Sequence, residues 1–420
     1  CIRDSGFALP SLGSQVGDIA DRFFGQPSGQ MAITGVTGTN GKTTVARIAS
    51  TALSLLDGAS GYMGTMGYGI GDDLKPSELT TSGCIVVHRR LRKLADAGAQ
   101  SVVMEVSSHG LDQGRIDGVR VGTAALTNLS RDHLDYHGDM ESYGATKASL
   151  FTRDELQTAV VNVGDRFGED LAARELAAQR IIRVAVAQVA KPAVQADLIA
   201  DLLNADESGL QIRFSGQFGT SEFRSPMWGR FNVENLAIAA GIMLAHDFSL
   251  KQATTALARI GSPAGRMEVL RAGPDKPTVV IDFAHTPAAL EQALKALRDH
   301  CSGQIWCVFG CGGNRDQGKR RDMGAAAGAY ADQVILTHDN PRDEDPVTII
   351  EAILAGVGGH DVVKVVRDRA QAITTAIDLA AADDVVLVAG KGSEAYQLIG
   401  DRRLEFSDAA VARAALGGVE

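Results

Sequence analysis

From about Met31 short apolar runs alternate along the chain with longer stretches of helical spacing, the pattern of parallel α/β layers. Met31–Thr37 predicts a strand, followed by a glycine-rich turn and a helix through about Leu56. Ala99–Val106 and Gly122–Thr127 read as buried strands, with a helix near Ser82–Ala97 ahead of the first. Ser142–Leu150 reads as helix and Thr158–Val163 as a short strand, and the text between Val184 and Phe231 suggests an antiparallel excursion. Helices are expected at Phe231–Ala245 and Leu250–Arg259. Periodicity stops at Gly261-Ser-Pro-Ala-Gly265, which predicts a linker. A second α/β series follows, with strands at Thr278–Phe283, Ile305–Phe309, Gln333–Thr337, Val362–Val366 and Val385–Val388.

Composition narrows the class. A chain of 420 residues, 45% hydrophobic and 22% charged, is an ordinary globular protein, so disorder and fibrous folds are excluded. The formal charge of −10 argues against bulk binding to nucleic acid or acidic membrane, while leaving local basic pockets open. No apolar run reaches the roughly 20 residues of a membrane span. Cys1, Cys84, Cys301, Cys307 and Cys311 have no metal-ligand spacing and read as reduced, packed thiols of a cytoplasmic protein.

The strongest chemical signal is Thr37-Gly-Thr-Asn-Gly-Lys-Thr-Thr44, placed between a strand and a helix. Glycines let backbone amides approach phosphate, Lys42 supplies a cation and Thr43 a hydroxyl for magnesium. Val36 stands where a strict P-loop has its first glycine, so this is a variant loop. Next, Met104-Glu-Val-Ser-Ser-His-Gly-Leu-Asp-Gln-Gly-Arg115 puts Glu105 at the end of a buried strand. A carboxylate there needs a cation, either a metal shared with Thr43 or a structural arginine. Thr127-Asn-Leu-Ser-Arg-Asp-His-Leu-Asp-Tyr-His-Gly138 follows a further strand. His133 and His137, four apart, can share a helical face, with one of them a neighbour of magnesium. Lys147 by itself reads as a surface lysine.

In the second half, Gly310-Cys-Gly-Gly-Asn-Arg-Asp-Gln-Gly-Lys-Arg320, Asp339-Asn-Pro-Arg342 and Gly390-Lys-Gly-Ser-Glu394 each follow a strand. Together they predict a crevice presenting Arg315, Arg342, Asn340, Lys391 and Glu394. Arginine suits carboxylates and glutamate suits an amine, so the crevice fits an amino acid.

These motifs, in this order, resemble the Mur ligases of peptidoglycan synthesis, most of all the branch that adds the third amino acid of the peptide. The resemblance runs from about Gly17 to the C-terminus. It implies an α/β fold of two parts: a central P-loop-type ATP-binding domain with a mainly parallel sheet (31–262) and a Rossmann-like amino-acid-binding domain (263–420). Residues 1–30 would be the remnant of a largely absent UDP-binding domain. It further implies that Gly38, Thr39, Asn40, Gly41, Lys42, Thr43 and Thr44 bind ATP phosphates, with Asn232, Asn235, Arg266 and His285 also near the nucleotide. Thr43 and Glu105 would hold one magnesium ion; Glu105, His133 and a carbamylated Lys147 would serve a second. Thr80, Thr81, Ser107, Gln113 and Arg115 match positions for the UDP-sugar-peptide substrate. Arg315, Asp339, Asn340, Arg342, Gly390 and Glu394 match a diaminopimelate pocket.

The implied activity is ATP-dependent addition of meso-diaminopimelate to UDP-N-acetylmuramoyl-L-alanyl-D-glutamate. A carboxyl phosphate forms first and the amine then displaces phosphate, with domain closure excluding water. The expected cofactors are ATP and Mg2+, and the expected state is a cytoplasmic monomer serving cell-wall biogenesis, cell shape and cell division. Asn314, Ser393 and Phe283 depart from the Asp, His and Tyr usual in the family. The alternatives are an ATP-binding fragment with impaired activity or a related ligase such as folylpolyglutamate synthetase, which is not expected to carry Asp339-Asn-Pro-Arg342.

Overall fold

Continuous runs of β-branched residues, too short for helices, form the buried centres of two sheets in the computed structural model, which describes residues 12–174, 176–187, 195–358 and 363–418. Cys1 lies outside the described residues. The chain separates into two compact units: the first runs to Asp201 and includes 213–223 and 233–260, while the second holds 202–212, 224–232 and 261 onward.

Eleven strands, among the described residues, are β1 (Ala32–Thr37), β2 (Ser60–Gly64), β3 (Gly67–Ile70), β4 (Asp73–Lys75), β5 (Ser101–Glu105), β6 (Thr123–Leu126), β7 (Thr158–Asn162), β8 (Arg180–Val186), β9 (Leu198–Asp206), β10 (Gly209–Gly216) and β11 (Ser221–Ser225). Their order is β11-β10-β9-β8-β7-β6-β1-β5-β2-β3-β4. From β9 through β6, β1 and β5 to β2 the pairing is parallel, whereas β2–β3 and β3–β4 are antiparallel. The two residues between β9 and β10 are too few for a parallel crossover, so the expected antiparallel excursion is formed there. The β2–β3–β4 meander escapes the periodicity because its glycines break the apolar alternation. β1 lies between β5 and β6, and the loops after these three strands meet where the strand order reverses.

The second unit repeats the logic with β12 (Glu268–Leu270), β13 (Thr278–Asp282), β14 (Ile305–Phe309), β15 (Gln333–Leu336), β16 (Val363–Val365) and β17 (Val385–Ala389), in the order β12-β13-β17-β14-β15-β16. Only β12 is antiparallel to its neighbour. A separate hairpin pairs β18 (Tyr396–Ile399) with β19 (Arg402–Glu405). One apolar layer packs Leu290, Leu294, Met323 and Ile353 on one face of the sheet, and another packs Ile373, Ile377 and Leu416 on the opposite face. Arg369 donates to both carboxylate oxygens of Asp408 at 2.7 and 2.8 Å and to the Ala389 carbonyl at 2.9 Å, so this fully buried pair leaves neither charge unmatched. It ties the end of β17 to the helix Asp408–Ala415. Of the three thiols expected to be buried, Cys307 and Cys311 are, but Cys301 is only partly covered.

Candidate functional site

In the first unit the loop after β1 turns into the helix Lys42–Asp57. Gly38 has φ 145°, and a Cβ there would lie 1.8 Å from Thr127 Oγ1, so the loop is pressed against the residue after β6. Gly41, at φ 82°, faces Asn235 Oδ1 across a gap with no room for a side chain. Asn128 fixes the loop from the other side: its carbonyl accepts from Thr39 N at 2.8 Å and its Oδ1 from Asn40 N at 3.0 Å. Lys42 Nζ donates to the carbonyls of Gly38 and Thr39, both at 2.9 Å.

Lys147 is not the surface lysine its isolated sequence context suggests. It is 1% exposed, donates to the same Gly38 carbonyl at 2.8 Å and lies 4.5 Å from the Tyr143 ring centroid. Burial, then the neighbouring Lys42 charge, pushes its ammonium down to about 6. At neutral pH it is therefore mostly a free amine.

Glu105, at the end of β5, is 1% exposed and among the described residues makes no ion pair with an arginine. Its Oε2 accepts from Thr43 Oγ1 at 2.8 Å and Thr65 Oγ1 at 3.3 Å, and its Oε1 from Tyr62 OH at 2.5 Å and Thr65 N at 2.9 Å. Burial, followed by the Glu105 charge, raises the Tyr62 phenol well above its ordinary range, so it stays a donor. A hydroxyl and a hard carboxylate 2.8 Å apart are a donor set suited to Mg2+, which completes its shell with waters and phosphate oxygens. Among the described residues no group of three or more His, Cys, Asp or Glu side chains forms a ready-made metal cage.

His133 and His137, four apart, present their imidazoles to the same rings, both lying against His109 (centroids 5.0 and 5.6 Å) and Tyr143 (6.2 and 5.1 Å). His133 sits at φ 52° as the N-cap of the short helix Leu134–His137, its imidazole half-exposed, 3.5 Å from Asp132 and edge-on to His109. His137 Nε2 also meets Ser108 Oγ at 3.0 Å. Among the described residues His133 contacts Asp132, His109 and Tyr143 rather than Thr43, Glu105 or Lys147.

Thr80, Thr81, Ser107, Gln113 and Arg115 come together beside Glu105. Thr80 and Thr65 hydroxyls are 2.9 Å apart, and Thr81 Oγ1 donates to the Glu105 carbonyl while accepting from Ser107 N, both at 2.9 Å. Ser107 caps the helix Ser108–Asp112. Arg115 donates to Gln113 Oε1 and to the Thr81 carbonyl. Sequence reasoning missed Tyr62, Thr65 and Glu234. Glu234 accepts from Asn128 Nδ2 at 3.3 Å, and burial raises its carboxyl. No spacing signal marks these residues, because Tyr62 and Thr65 reach Glu105 across 43 and 40 positions and Glu234 reaches Asn128 across 106.

In the second unit Arg315, Asp339, Asn340, Arg342, Gly390 and Glu394 line one cavity of 390 Å3, at the reversal of strand order between β14 and β17. His285, expected near the nucleotide, lines this cavity too, and the Arg266 guanidinium covers Phe283 at 4.4 Å on its wall. Asn232 turns its amide to the Trp228 carbonyl at 2.6 Å. Lys391, expected to face the crevice, is 0% exposed and is spent on Asn340 Oδ1 and Glu394 Oε2, both at 3.1 Å. It orients the wall, and the cationic face belongs to the arginines. Arg315 is exposed, with no hydrogen bond or ion pair among the described residues. Asn314, at φ 53°, donates through Nδ2 to Asp343 at 2.9 Å.

Residues 36–243 match the model of the Mur ligase middle domain and residues 265–392 that of the Mur ligase, glutamate ligase domain. A UDP-N-acetylmuramoyl-L-alanyl-D-glutamate--2,6-diaminopimelate ligase of Xanthomonas campestris pv. campestris (strain 8004) is 48% identical over 409 residues, covering 97% of this chain and 82% of that protein. The like-named ligase of Xylella fastidiosa (strain 9a5c) is 44% identical over 418 residues, with 100% and 84% covered. A solved structure bearing the same ligase name is 37% identical with a TM-score of 0.72, covering 98% of this chain and 83% of that one. A Mycobacterium tuberculosis folylpolyglutamate synthase, 22% identical with a TM-score of 0.71 over 96% and 95% of the two chains, shares the fold alone. With both family models matched in order and these relatives aligned across the two units just described, the chain belongs to the Mur ligase family.

Proposed function

We propose that the chain is an ATP-dependent ligase that joins meso-diaminopimelate to UDP-N-acetylmuramoyl-L-alanyl-D-glutamate in peptidoglycan precursor synthesis. The observation that carries the amino-acid half is the 390 Å3 cavity, where Arg315 and Arg342 stand with Asp339, Asn340 and Glu394. Diaminopimelate carries two carboxylates and two amines, and guanidinium forks and carboxylates are their natural partners. The working division is an ATP-binding part over 31–262 and an amino-acid-binding part over 263–420.

Lys42 and the loop amides from Gly38 to Thr44 hold the phosphates of ATP, and Asn235 supports the loop from its far side. Thr43 and Glu105 would hold magnesium, which would supply charge neutralisation on the phosphates. The D-glutamyl carboxylate, placed by Thr80, Thr81, Ser107, Gln113 and Arg115, attacks that phosphoryl group, giving an acyl phosphate and ADP. The amine of diaminopimelate then attacks the acyl carbon, loses a proton and expels phosphate. Lys147, mostly unprotonated, adds to carbon dioxide through its amine and releases one proton, becoming a carbamate with carboxylate-like oxygens. Glu105, His133 and the Lys147 carbamate would serve a second magnesium ion. The substrates are water-soluble, and no helix among the described residues is long and apolar enough to cross a membrane; a cytoplasmic monomer is the assembly this reading takes.

Phosphate release measured with the UDP-muramoyl dipeptide and ATP tests it. Release should require meso-diaminopimelate and fall steeply with L-lysine. Release that is indifferent to the amino acid, or that appears with a folate substrate and glutamate instead, would overturn the assignment.

A further inference from the structure

The β2–β3 hairpin comes up against Glu105 more closely than sheet packing requires. Parallel pairing sets Tyr62 opposite Val103 and Met63 opposite Met104, which brings the turn after β2 alongside the end of β5. A Cβ on Gly64 would stand 2.1 Å from Glu105 Oε1 and 2.4 Å from Tyr62 OH, so the glycine makes room for the carboxylate. Tyr62 is wholly buried, and its hydroxyl reaches Oε1 at 2.5 Å; it also accepts from Met66 N at 3.3 Å. Thr65 N donates to the same Oε1 at 2.9 Å. Both donors on Oε1 therefore come from one short hairpin. Oε2 is left facing Thr43 Oγ1 at 2.8 Å, with Thr65 Oγ1 behind it at 3.3 Å. A buried tyrosine whose hydroxyl is aimed at a carboxylate, in a space kept open by a glycine, does more than fill the core.

We infer that Tyr62, with Thr65, is a positioning residue for the magnesium side of the site: it clamps Oε1 of Glu105 so that Oε2 alone is presented beside Thr43. This rests on the assignment of Thr43 and Glu105 to magnesium. The physical reason is orientational. A glutamate has three rotatable bonds, and hydrogen bonds to its outer oxygen fix the one rotamer that serves a metal. Losing such partners typically costs 10–100-fold in metal affinity.

The test uses the full chain with a non-hydrolysable ATP analogue and Mn2+ as probe, free Mn2+ being read by electron paramagnetic resonance. Tyr62→Phe should raise the Mn2+ dissociation constant about tenfold or more. In turnover it should raise the Mg2+ concentration needed for half-maximal rate, with kcat recovered at saturating Mg2+ and the KM for diaminopimelate unchanged. A merely structural role would lower the melting temperature without moving the metal dependence. Thr65 is exposed at the hairpin turn, so Thr65→Pro, which removes the N–H that donates to Oε1, gives a second variant that keeps the core should Tyr62→Phe not fold; it should weaken Mn2+ binding by a smaller factor than Tyr62→Phe. Unchanged Mn2+ affinity in the folded variants would overturn the clamp. Glu105→Gln separates the two readings. If it too leaves Mn2+ affinity unchanged, the metal assignment itself fails; if it weakens binding while Tyr62→Phe does not, the clamp alone fails.

Discussion

The site in the first unit and the cavity in the second use charge in opposite ways. Around the phosphate loop every key group is already engaged: Lys42 and Lys147 share the Gly38 carbonyl, and both Glu105 oxygens are bonded. In the second unit the buried Lys391 beside the cavity is consumed by the wall, while Arg315 is left exposed. Phosphoryl transfer gains from groups held rigidly where charge develops, so reorganisation is settled during folding. Recognising a zwitterionic amino acid instead needs charges that are solvated until the ligand replaces water. Rigidity belongs to the chemistry and openness to the recognition.

The largest expected effect tests the rigid side. Lys147→Ala should lower kcat by about 10^2–10^3 or more, since a charge-stabilising group is removed from the transition state. Formate or acetate should restore part of the rate, and 13C-bicarbonate should label the wild-type chain and not the variant. Full activity in Lys147→Ala would remove the carbamate from the mechanism.

Glycine substitutions compare the two loops directly. Gly38→Ala combines an unfavourable φ with a Cβ 1.8 Å from Thr127 Oγ1, and should cost about 2–4 kcal/mol in urea unfolding. Gly312→Ala places its Cβ 3.0 Å from the movable end of Arg342. It should cost about 1 kcal/mol or less and act mainly on the KM for diaminopimelate. Equal stability losses would erase the contrast.

Arg315→Ala should raise the KM for meso-diaminopimelate about 10–100-fold, with the KM for ATP unchanged, as expected for one charge-assisted contact. It should also narrow the preference over L-lysine, which lacks the second carboxylate. A proportional loss with both amino acids would place Arg315 elsewhere in recognition.

The smallest effect is a pH dependence in the second unit. His300 stacks on Trp228 at 4.7 Å, accepts from Gly229 N through Nε2 at 3.0 Å and donates through Nδ1 to the Asp206 carbonyl. Burial lowers its pKa despite Asp206 and Asp299 nearby, so the folded state holds it neutral. Because the unfolded chain binds the proton more readily, this contribution is complete above about pH 6.5 and is lost as pH falls below that value. The slope is at most about 1.4 kcal/mol per pH unit. Urea unfolding from pH 7.5 to 5.5 should show a shallower decline in His300→Gln than in the wild type; parallel curves would refute it.

Much of the architecture is legible from residues alone. Ile305–Phe309 forms the strand its pattern predicts, because a strand buried on both faces is an unbroken apolar run. The β2–β3–β4 meander and the β18–β19 hairpin are not legible. The first is interrupted by glycines, and β19 is exposed along its length, so neither carries the alternation that burial imposes. Arg315, Asn340, Arg342 and Glu394 of the second unit's cavity are likewise readable, because strand-end loops of one parallel sheet converge whatever their detailed conformation, whereas Asp339 and Gly390 follow only from the family resemblance.

The amino-acid sequence by itself determined the alternation of strands and helices, the glycine-rich loop after β1 and the residue types that line both sites. Spacing along the chain encodes these local properties. Only the tertiary structure decided that Lys147 is buried, that Glu105 is met by Tyr62 and Thr65, and that Arg315 and not Lys391 is exposed at the cavity. Desolvation and register cause those outcomes. Both depend on residues tens of positions apart, brought within 3 Å only when the sheets close.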